Sequence, residues 1–291
     1  MSTPAPQATP LPADPFPRSV WSRVASVALL AYIVYACAQL EISWERALIG
    51  IDNADRFFSR LFPPNFERWE LLVKGLLESL EIAVLASTLG IVLALPIGLF
   101  AARNLMPPWV TWPARALIVM ARSFHPVIVA ILFVKAVGFG ALAGILALTV
   151  ASIGFIGKLF TEAIEEISDK QVEAVRATGS PFASVLSFGV LPQVFSRFIG
   201  FATYQLDSNL RNSTMVGIVG AGGVGGTLFA AFQRFDYDYV CAILISIITL
   251  IMIGEVLATG VRAIFIENAT LADLFRRRAP GTRVRRMEDD D

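Results

Sequence analysis

Several side chains that enzymes depend on are scarce in this 291-residue chain, which contains one histidine and two cysteines. This scarcity excludes most metal sites and leaves little for a nucleophile and base in a membrane enzyme. Charged residues make up only 16% of the chain, whereas an ordinary soluble domain has about a quarter. Basic and acidic residues number 24 each, so no basic surface for nucleic acid is expected.

Nucleotide-binding motifs are also lacking. The chain has no GxxxxGK[ST] sequence, so it has no P-loop. The stretch from Gly220 to Gly225 fits the letters of GxGxxG, but it lies between apolar runs and has no acidic residue about 20 positions further on, where Ile245 stands. We therefore expect no nucleotide and no other cofactor on this chain, so any energy source must be external.

Long apolar runs are abundant, because 55% of the residues are hydrophobic and mean hydropathy is +0.64. About six runs approach the roughly 20 residues that cross a bilayer. They cover residues 20–40, 71–100, 116–137, 141–160, 192–216 and 239–265. Cys37 and Cys241 fall inside these runs, where a small buried side chain is expected and a disulfide is not. The sequence predicts an all-α integral membrane protein with about six transmembrane helices.

Composition divides the chain further. Residues 1–17 are rich in Pro, Ala and Thr and predict a disordered tail. Residues 18–70 hold the first span and, over 43–62, an amphipathic helix that fits either the membrane interface or a solvated linker. Residues 71–265 form the transmembrane core and 266–291 a second tail. Arginines before the first span, between the second and third, and after the sixth place both termini in the cytoplasm.

A polar-rich insert from Ser168 to Pro192, here called the coupling segment, separates the fourth and fifth spans. Ser168 and Gln171 have the spacing of a capping box, which predicts a helix start. Gly179 supplies the left-handed residue that ends a helix. Residues 180–181 are Ser-Pro and suit the start of a second helix, which we expect to end near Pro192. The segment therefore predicts two short helices joined by a hinge.

Five residues of this segment have the spacing of a known transporter motif: Glu173, Ala174, Gly179, Leu191 and Pro192. They resemble the EAA loop of type I ABC importer permeases, with Val175 and Gly189 departing from the usual residues. The resemblance implies that fold and a coupling helix that docks on a partner ATPase, which uses ATP and magnesium. It also implies a non-catalytic subunit in a bacterial cell membrane, with a second copy of itself and an extracytoplasmic substrate-binding protein as partners.

The cargo class is suggested by three stretches. Residues 207–226 resemble phosphonate importer permeases, although the GIVGAGG part is shared with methionine-type and betaine-type relatives. SFHP at 123–126 and GKLFTEAIEEI at 157–167 are more typical of the phosphonate branch. The resemblance implies import of a phosphonate, phosphate or phosphite anion by alternating access. The alternatives are methionine or betaine-type cargo, and an ion-coupled secondary anion transporter that uses Asp207 and Glu255.

Polar and ionisable residues inside the spans are candidates for the translocation path, because such groups usually face a bundle interior or an aqueous cavity. They are Arg122, Ser123, His125, Asp207, Asn209, Arg211 and Asn212. A guanidinium matches the oxygens of a phosphonate or phosphate well. The structural alternative is that Arg211 pairs with Asp207, and that Arg122 and His125 bond backbone near Pro126. The sequence indicates no role for Glu255.

Overall fold

The computed structural model of the chain describes residues 20–39 and 43–263, and every regular element within these ranges is helical. The described chain divides after Ser59 into two units. The predicted tails, 1–17 and 266–291, lie outside the described residues.

The first unit contains α1, Val20–Gln39, and most of α2, Trp44–Leu61. α1 is 20 residues long with a mean hydropathy of 1.6, which suffices for a membrane span. α2 confirms the amphipathic helix that the sequence predicts over 43–62, and Arg56 pairs with Asp52 at 2.7 Å on its polar side. The position of α2 at a membrane interface stays a prediction.

The described part of the second unit holds nine further helices. They are α3 (Trp69–Ala101), α4 (Pro108–Ser123), α5 (Pro126–Val137), α6 (Ala141–Glu165), α7 (Asp169–Ala177), α8 (Phe182–Ser184), α9 (Leu191–Ile218), α10 (Val224–Gln233) and α11 (Tyr237–Arg262). A π-helical turn, Val185–Val190, joins α8 to α9. Five helical stretches, counting α1 and the continuous Phe182–Ile218, are long and apolar enough to cross a membrane. With α4 and α5 taken as one broken span, six crossings result, as predicted.

The central packing of this unit brings α3 against α6 and α9. Small residues recur every three or four positions along the buried face of α3 and let the neighbouring backbones approach. They are Gly75, Ser79, Ala83, Ala86, Gly90, Ala94, Gly98 and Ala101. On α6, Gly154 and Gly157 serve the same purpose against α4. Close approach of the helix backbones therefore contributes to the packing, together with large buried side chains such as Ile82 and Leu148.

The third predicted span, 116–137, is not one continuous helix. α4 begins at Pro108, ends at Ser123, and meets α5 at an angle of 92°. Pro126 lacks an amide and disfavours helical geometry in the residue before it, so His125 is extended with φ −67° and ψ 139°. The His125 imidazole then caps α5, because Nδ1 accepts the Val127 amide at 3.3 Å. A proline that was expected inside a span thus divides it.

The coupling segment has two helical parts, and α7 begins directly after Ser168 as predicted, but the predicted caps by the Ser168 and Ser180 side chains are wrong. The Ser168 side chain makes no capping bond, and the Ser168 amide donates to Gln193 Oε1 at 3.0 Å and not to the Gln171 side chain. The Ser180 hydroxyl lies 2.7 Å from that of Thr178, and Pro181 is the residue that precedes the next helix. Gln193 thus replaces Gln171 as the partner of the Ser168 amide, and the Ser180 hydroxyl bonds Thr178 instead of capping a helix.

The structure confirms the prediction for Gly179 and contradicts the one for Pro192. Gly179 has a φ of +73°, which confirms the left-handed residue after α7. Pro192 does not end the second helix, because the chain stays helical from Phe182 to Ile218. The wide π turn directly before α9 accommodates the missing Pro192 amide and the bulk of its ring. The second short helix is therefore the base of the fifth span.

The glycine-rich stretch forms a tight loop between α9 and α10. Gly220, Gly222 and Gly223 have φ values of +89°, +82° and +79°, which L side chains rarely adopt. The loop is fastened to other helices, since the Gly220 carbonyl accepts from the Gly140 amide at 3.0 Å. The Val224 amide donates to Ser79 Oγ at 2.9 Å. The glycines thus have a structural role in helix packing.

Candidate functional site

α7 lies at one end of the helical bundle, and its attachment fixes which side chains it exposes. Val172 is 5% exposed and packs in a hydrophobic cluster with Ile164 of α6 and Val190 and Val194 of the next span. Glu173 and Ala174, the first two residues of the predicted motif, are exposed. α7 is therefore anchored by one apolar side and presents the motif outward.

Gln193 fastens the start of α7 to the base of α9. Its side-chain oxygen accepts the Ser168 amide at 3.0 Å, and its Nε2 donates to the Gly189 carbonyl at 2.6 Å. Leu191 and Pro192, the last two motif residues, lie just before it in the first turn of α9. The motif thus occupies both sides of a junction that this one amide connects.

A shallow groove of about 270 Å³ runs beside α7 and includes the loop between α3 and α4. Asn104 of that loop donates to the Ile164 carbonyl at 2.8 Å, which holds the loop on the end of α6. Glu173 and Arg176 line the groove, and within residues 20–39 and 43–263 their side chains make no hydrogen bond or ion pair. Both remain available to a partner.

The predicted path residues fall in three places. Arg122, Ser123 and His125 lie at the break between α4 and α5. Asp207, Arg211 and Asn212 lie on α9, where the Asn212 amide is 3.4 Å from Ser208 Oγ. Asn209 is on the same helix but is enclosed between helices.

Asn209 is fully buried and belongs to a polar network between three helices. Its Nδ2 donates to Ser87 Oγ of α3 at 2.9 Å and to Ser152 Oγ of α6 at 2.8 Å. Gln205 Nε2 donates to Asn209 Oδ1 at 3.0 Å and to Ser152 Oγ at 2.8 Å. In the single chain Asn209 therefore ties α3, α6 and α9 together.

Asp207 and Arg211 form an ion pair four residues apart on α9, as the structural alternative predicts. The Asp207 side chain is 5% exposed, whereas that of Arg211 is 46% exposed. Tyr204 and Ser208 precede Arg211 at helical spacing, and the Tyr204 ring stacks on Phe155 at 5.5 Å. Asp207 thus holds a guanidinium on an accessible polar face of α9.

A cavity of about 450 Å³ lies between α4 and α6, here called the α4–α6 cavity. Its lining is Arg115, Ile118, Val119, Arg122, Ser123, Lys158, Thr161 and Glu162. Arg115 Nη2 pairs with Glu165 at 2.5 Å, and Lys158 pairs with Glu162 at 3.4 Å. The Arg122 guanidinium makes no hydrogen bond or ion pair within the described part of the chain. One cationic group in the cavity is therefore uncompensated.

Glu255, to which the sequence gives no role, pairs with Arg262 at 3.1 Å in the last turns of α11. Three residues that were not predicted from the sequence contribute to these sites. Arg115 and Lys158 line the α4–α6 cavity, and Gln193 connects α7 to α9. Lys158 and Glu162 are four residues apart on α6, and this spacing is a sequence signal for their pair. Arg115 has no such signal, because its partner Glu165 lies on another helix. Gln193 has no sequence signal either, since its partner Ser168 is 25 residues away along the chain.

Comparisons with known proteins agree with this architecture. The family model described as the binding-protein-dependent transport system inner membrane component matches residues 94–266. The phosphate-import permease protein PhnE of Mycolicibacterium smegmatis is 40% identical over 223 residues, which are 76% of this chain and 41% of that protein. The chain thus spans less than half of PhnE. The phosphite transport system permease protein PtxC of Stutzerimonas stutzeri is 35% identical and is covered to 90%, over 84% of this chain.

Two solved structures share the fold. A chain of the MetNI methionine ABC transporter, in an inward-facing conformation, aligns with a TM-score of 0.59 at 25% identity. The alignment covers 69% of this chain and 99% of that one. An amino acid ABC transporter solved with histidines aligns with a TM-score of 0.53 at 20% identity, over 73% of this chain and 95% of that one, and shows the fold alone.

Proposed function

Since this chain belongs to the binding-protein-dependent transport system inner membrane components, we propose that it is the permease subunit of an ATP-driven importer of a phosphonate, phosphate or phosphite anion. The chain is a multi-pass membrane protein with five apolar helical stretches and one broken pair. The names of PhnE and PtxC support the cargo class. The chain itself performs no bond chemistry, and ATP and magnesium are used by a partner ATPase.

The observation that carries this proposal is the exposure of α7. A short polar helix between two spans is anchored by Val172 and presents Glu173 and Ala174 outward. Docked in an ATPase groove, α7 would move with the ATPase and carry α9 with it through Gln193 and the continuous helix from Phe182. Differential contact of α7 with two ATPase states is what biases the membrane helices between two arrangements.

The orientation and the division of the chain follow from this docking. α7 and the arginine-bearing loop at 102–107 lie at the same end of the bundle, because Asn104 bonds the end of α6. That end faces the cytoplasm, where positive loops accumulate. Six crossings then return both termini to the cytoplasm. The core is 71–265, preceded by the first span and the amphipathic helix over 18–70.

A second copy of the chain completes the passage. The accessible polar face of α9 carries Tyr204, Ser208 and Arg211 along one side. Two chains around a common axis would bring two such faces, and two Arg211 guanidinium groups, to one passage for an anion. An extracytoplasmic binding protein selects the cargo, so the passage needs only modest affinity.

Ion-coupled secondary transport is the less favoured candidate. It requires a carboxylate that exchanges its ion during the cycle, and the two carboxylates considered for it are Asp207 and Glu255. Asp207 is held by Arg211 and Glu255 by Arg262. Methionine cargo also ranks lower, since the phosphite relative PtxC is 35% identical and the methionine transporter chain is 25% identical.

The test is ATP hydrolysis by the chain reconstituted with its candidate ATPase in lipid. Binding protein loaded with phosphonate, phosphate, phosphite or methionine is added in turn, and unloaded binding protein is the control. We expect stimulation by one of the phosphorus anions. We also expect Gly179→Pro to abolish it while the complex still assembles, because the Gly179 amide donates to Arg176 at 3.0 Å and its φ is +73°. Anion uptake by the chain alone would refute the proposal.

A further inference from the structure

The α4–α6 cavity has the charge and size of a small-anion site. Its volume of about 450 Å³ lies within the range of small-ligand pockets. Three cations line it, and carboxylates neutralise two of them, Glu165 at Arg115 and Glu162 at Lys158. Arg122 remains as the third, so the cavity and its ion pairs carry a net charge of about +1.

Arg122 is positioned by the packing of α4 on α6. A Cβ added at Gly154 would lie 2.6 Å from Arg122 Cγ, so the stem of the arginine rests directly on the α6 backbone. Only glycine leaves room for this stem, which fixes where the guanidinium begins. Arg115, two turns away, is already occupied, since its Nε donates to the Ala101 carbonyl at 2.9 Å and its Nη2 to Glu165.

We propose that the α4–α6 cavity binds a tetrahedral phosphoryl or phosphonyl anion between Arg122 and Lys158. A guanidinium offers two parallel N–H groups to two oxygens of such an anion, and an ammonium offers a third contact. Lys158 lies 3.4 Å from Glu162, and this half-exposed pair is weak enough for an incoming anion to share the ammonium. Ionised groups inside a span face a bundle interior or a water-filled cavity, which fits a site that an ion can enter.

The anion has two possible sources, the transported cargo and the headgroup of an anionic phospholipid. On the proposed function the cargo is the occupant, and the cavity is then a station on the way through the membrane. The test uses inorganic phosphate for the first source and phosphatidylglycerol for the second, in nanodiscs that otherwise contain phosphatidylcholine.

The reporter is Ser123→Cys in the full chain with Cys37→Ser and Cys241→Ser, since Ser123 is exposed and lines the cavity. The rate of labelling by an anionic thiol reagent is measured against phosphate concentration. We expect phosphate to slow labelling in phosphatidylcholine nanodiscs. Arg122→Ala and Lys158→Ala should each raise the half-protecting phosphate concentration about tenfold.

The control is Lys135→Ala, which removes a span cation that does not line the cavity. Its phosphate protection should equal that of the reporter alone, and Arg122→Lys should restore part of what Arg122→Ala loses. The proposal is overturned if phosphate gives no protection, or if both alanine variants are protected as well as the reporter alone. Protection by phosphatidylglycerol without phosphate assigns the site to lipid and overturns its role as a cargo station.

The same proteins are assayed for uptake with the ATPase and loaded binding protein. Uptake without phosphate protection refutes the cavity proposal and leaves the importer standing. Phosphate protection without uptake of any phosphorus anion refutes the proposed function and leaves the anion site standing.

Discussion

The contact between α9 and α10 gives a sharp test, because two neighbouring glycines have opposite surroundings. A Cβ at Gly225 would overlap the Thr214 carbonyl oxygen and lie 2.9 Å from the Ile218 nitrogen. Both are backbone atoms and cannot rotate away. A Cβ at Gly226 would find its nearest neighbour, the Gly217 carbonyl oxygen, at 3.6 Å, which is an ordinary contact.

The expected effects of alanine differ in sign. Ordinary contacts begin near 3.5 Å, so Gly225→Ala must push α10 from α9 by more than about 0.5 Å, at an overpacking cost near 3 kcal/mol. The higher helix propensity of alanine offsets about 1 kcal/mol of this cost, so the free energy of unfolding should fall by about 2 kcal/mol. Gly226→Ala gains the propensity term without the clash. The variants should therefore differ by about 3 kcal/mol, or about 6–12 °C in melting temperature.

The assay is thermal unfolding of both variants in the same detergent, followed by tryptophan fluorescence and by the fraction recovered as a single species. Gly225→Ala should melt below the unsubstituted chain, and Gly226→Ala at or above it. Equal melting temperatures for the two variants would refute the backbone contact between α9 and α10.

Three further predictions follow from named contacts. Asn209→Leu should lower the free energy of unfolding in bicelles by about 2 kcal/mol, because the buried Ser87 and Gln205 side chains each lose a hydrogen-bond partner. An unchanged free energy of unfolding would contradict the polar network around Asn209. Gln193→Leu should leave basal ATP hydrolysis intact but reduce its stimulation by loaded binding protein at least threefold. Gln193→Glu should be intermediate, because its side chain still accepts the Ser168 amide. Equal stimulation of the two variants would contradict the role of Gln193 in connecting α7 to α9. Glu255→Gln should keep uptake within about twofold, because its exposed pair is weak, and loss of uptake would revive ion coupling.

The positions of α3 and α6 could be predicted from sequence, because length and apolarity determine them. α3 covers Trp69–Ala101 where 71–100 was expected, and α6 begins at Ala141 as expected. The hinge at Gly179 could also be predicted, since few residues other than glycine tolerate its positive φ. Such features depend on a residue and its chain neighbours.

Features that depend on a choice between local geometries, or on packing between helices, could not be predicted. Pro126 is compatible with either a kinked or a broken span, and the cap from His125 decides for the break. Pro192 is accommodated by a π turn whose only sequence sign is the proline itself. The α4–α6 cavity depends on the rotation of α4 about its axis, which the contact of Arg122 with Gly154 sets. In none of these cases does the local sequence by itself decide between the alternatives.

The unbroken helix from Phe182 to Ile218 has a mechanical consequence. Because the helix is continuous from Phe182, just after the turn at Gly179, the 37-residue rod can amplify a displacement at its base as a lever does. α9 alone is about 42 Å long, so a tilt of about 5° at its base shifts its far end by about 4 Å. The glycine loop at that far end is hydrogen-bonded to Gly140 and Ser79, so a displacement there would reach the start of α6 and α3. On the proposed function, a small displacement of α7 would thereby be enlarged at the opposite end of the bundle.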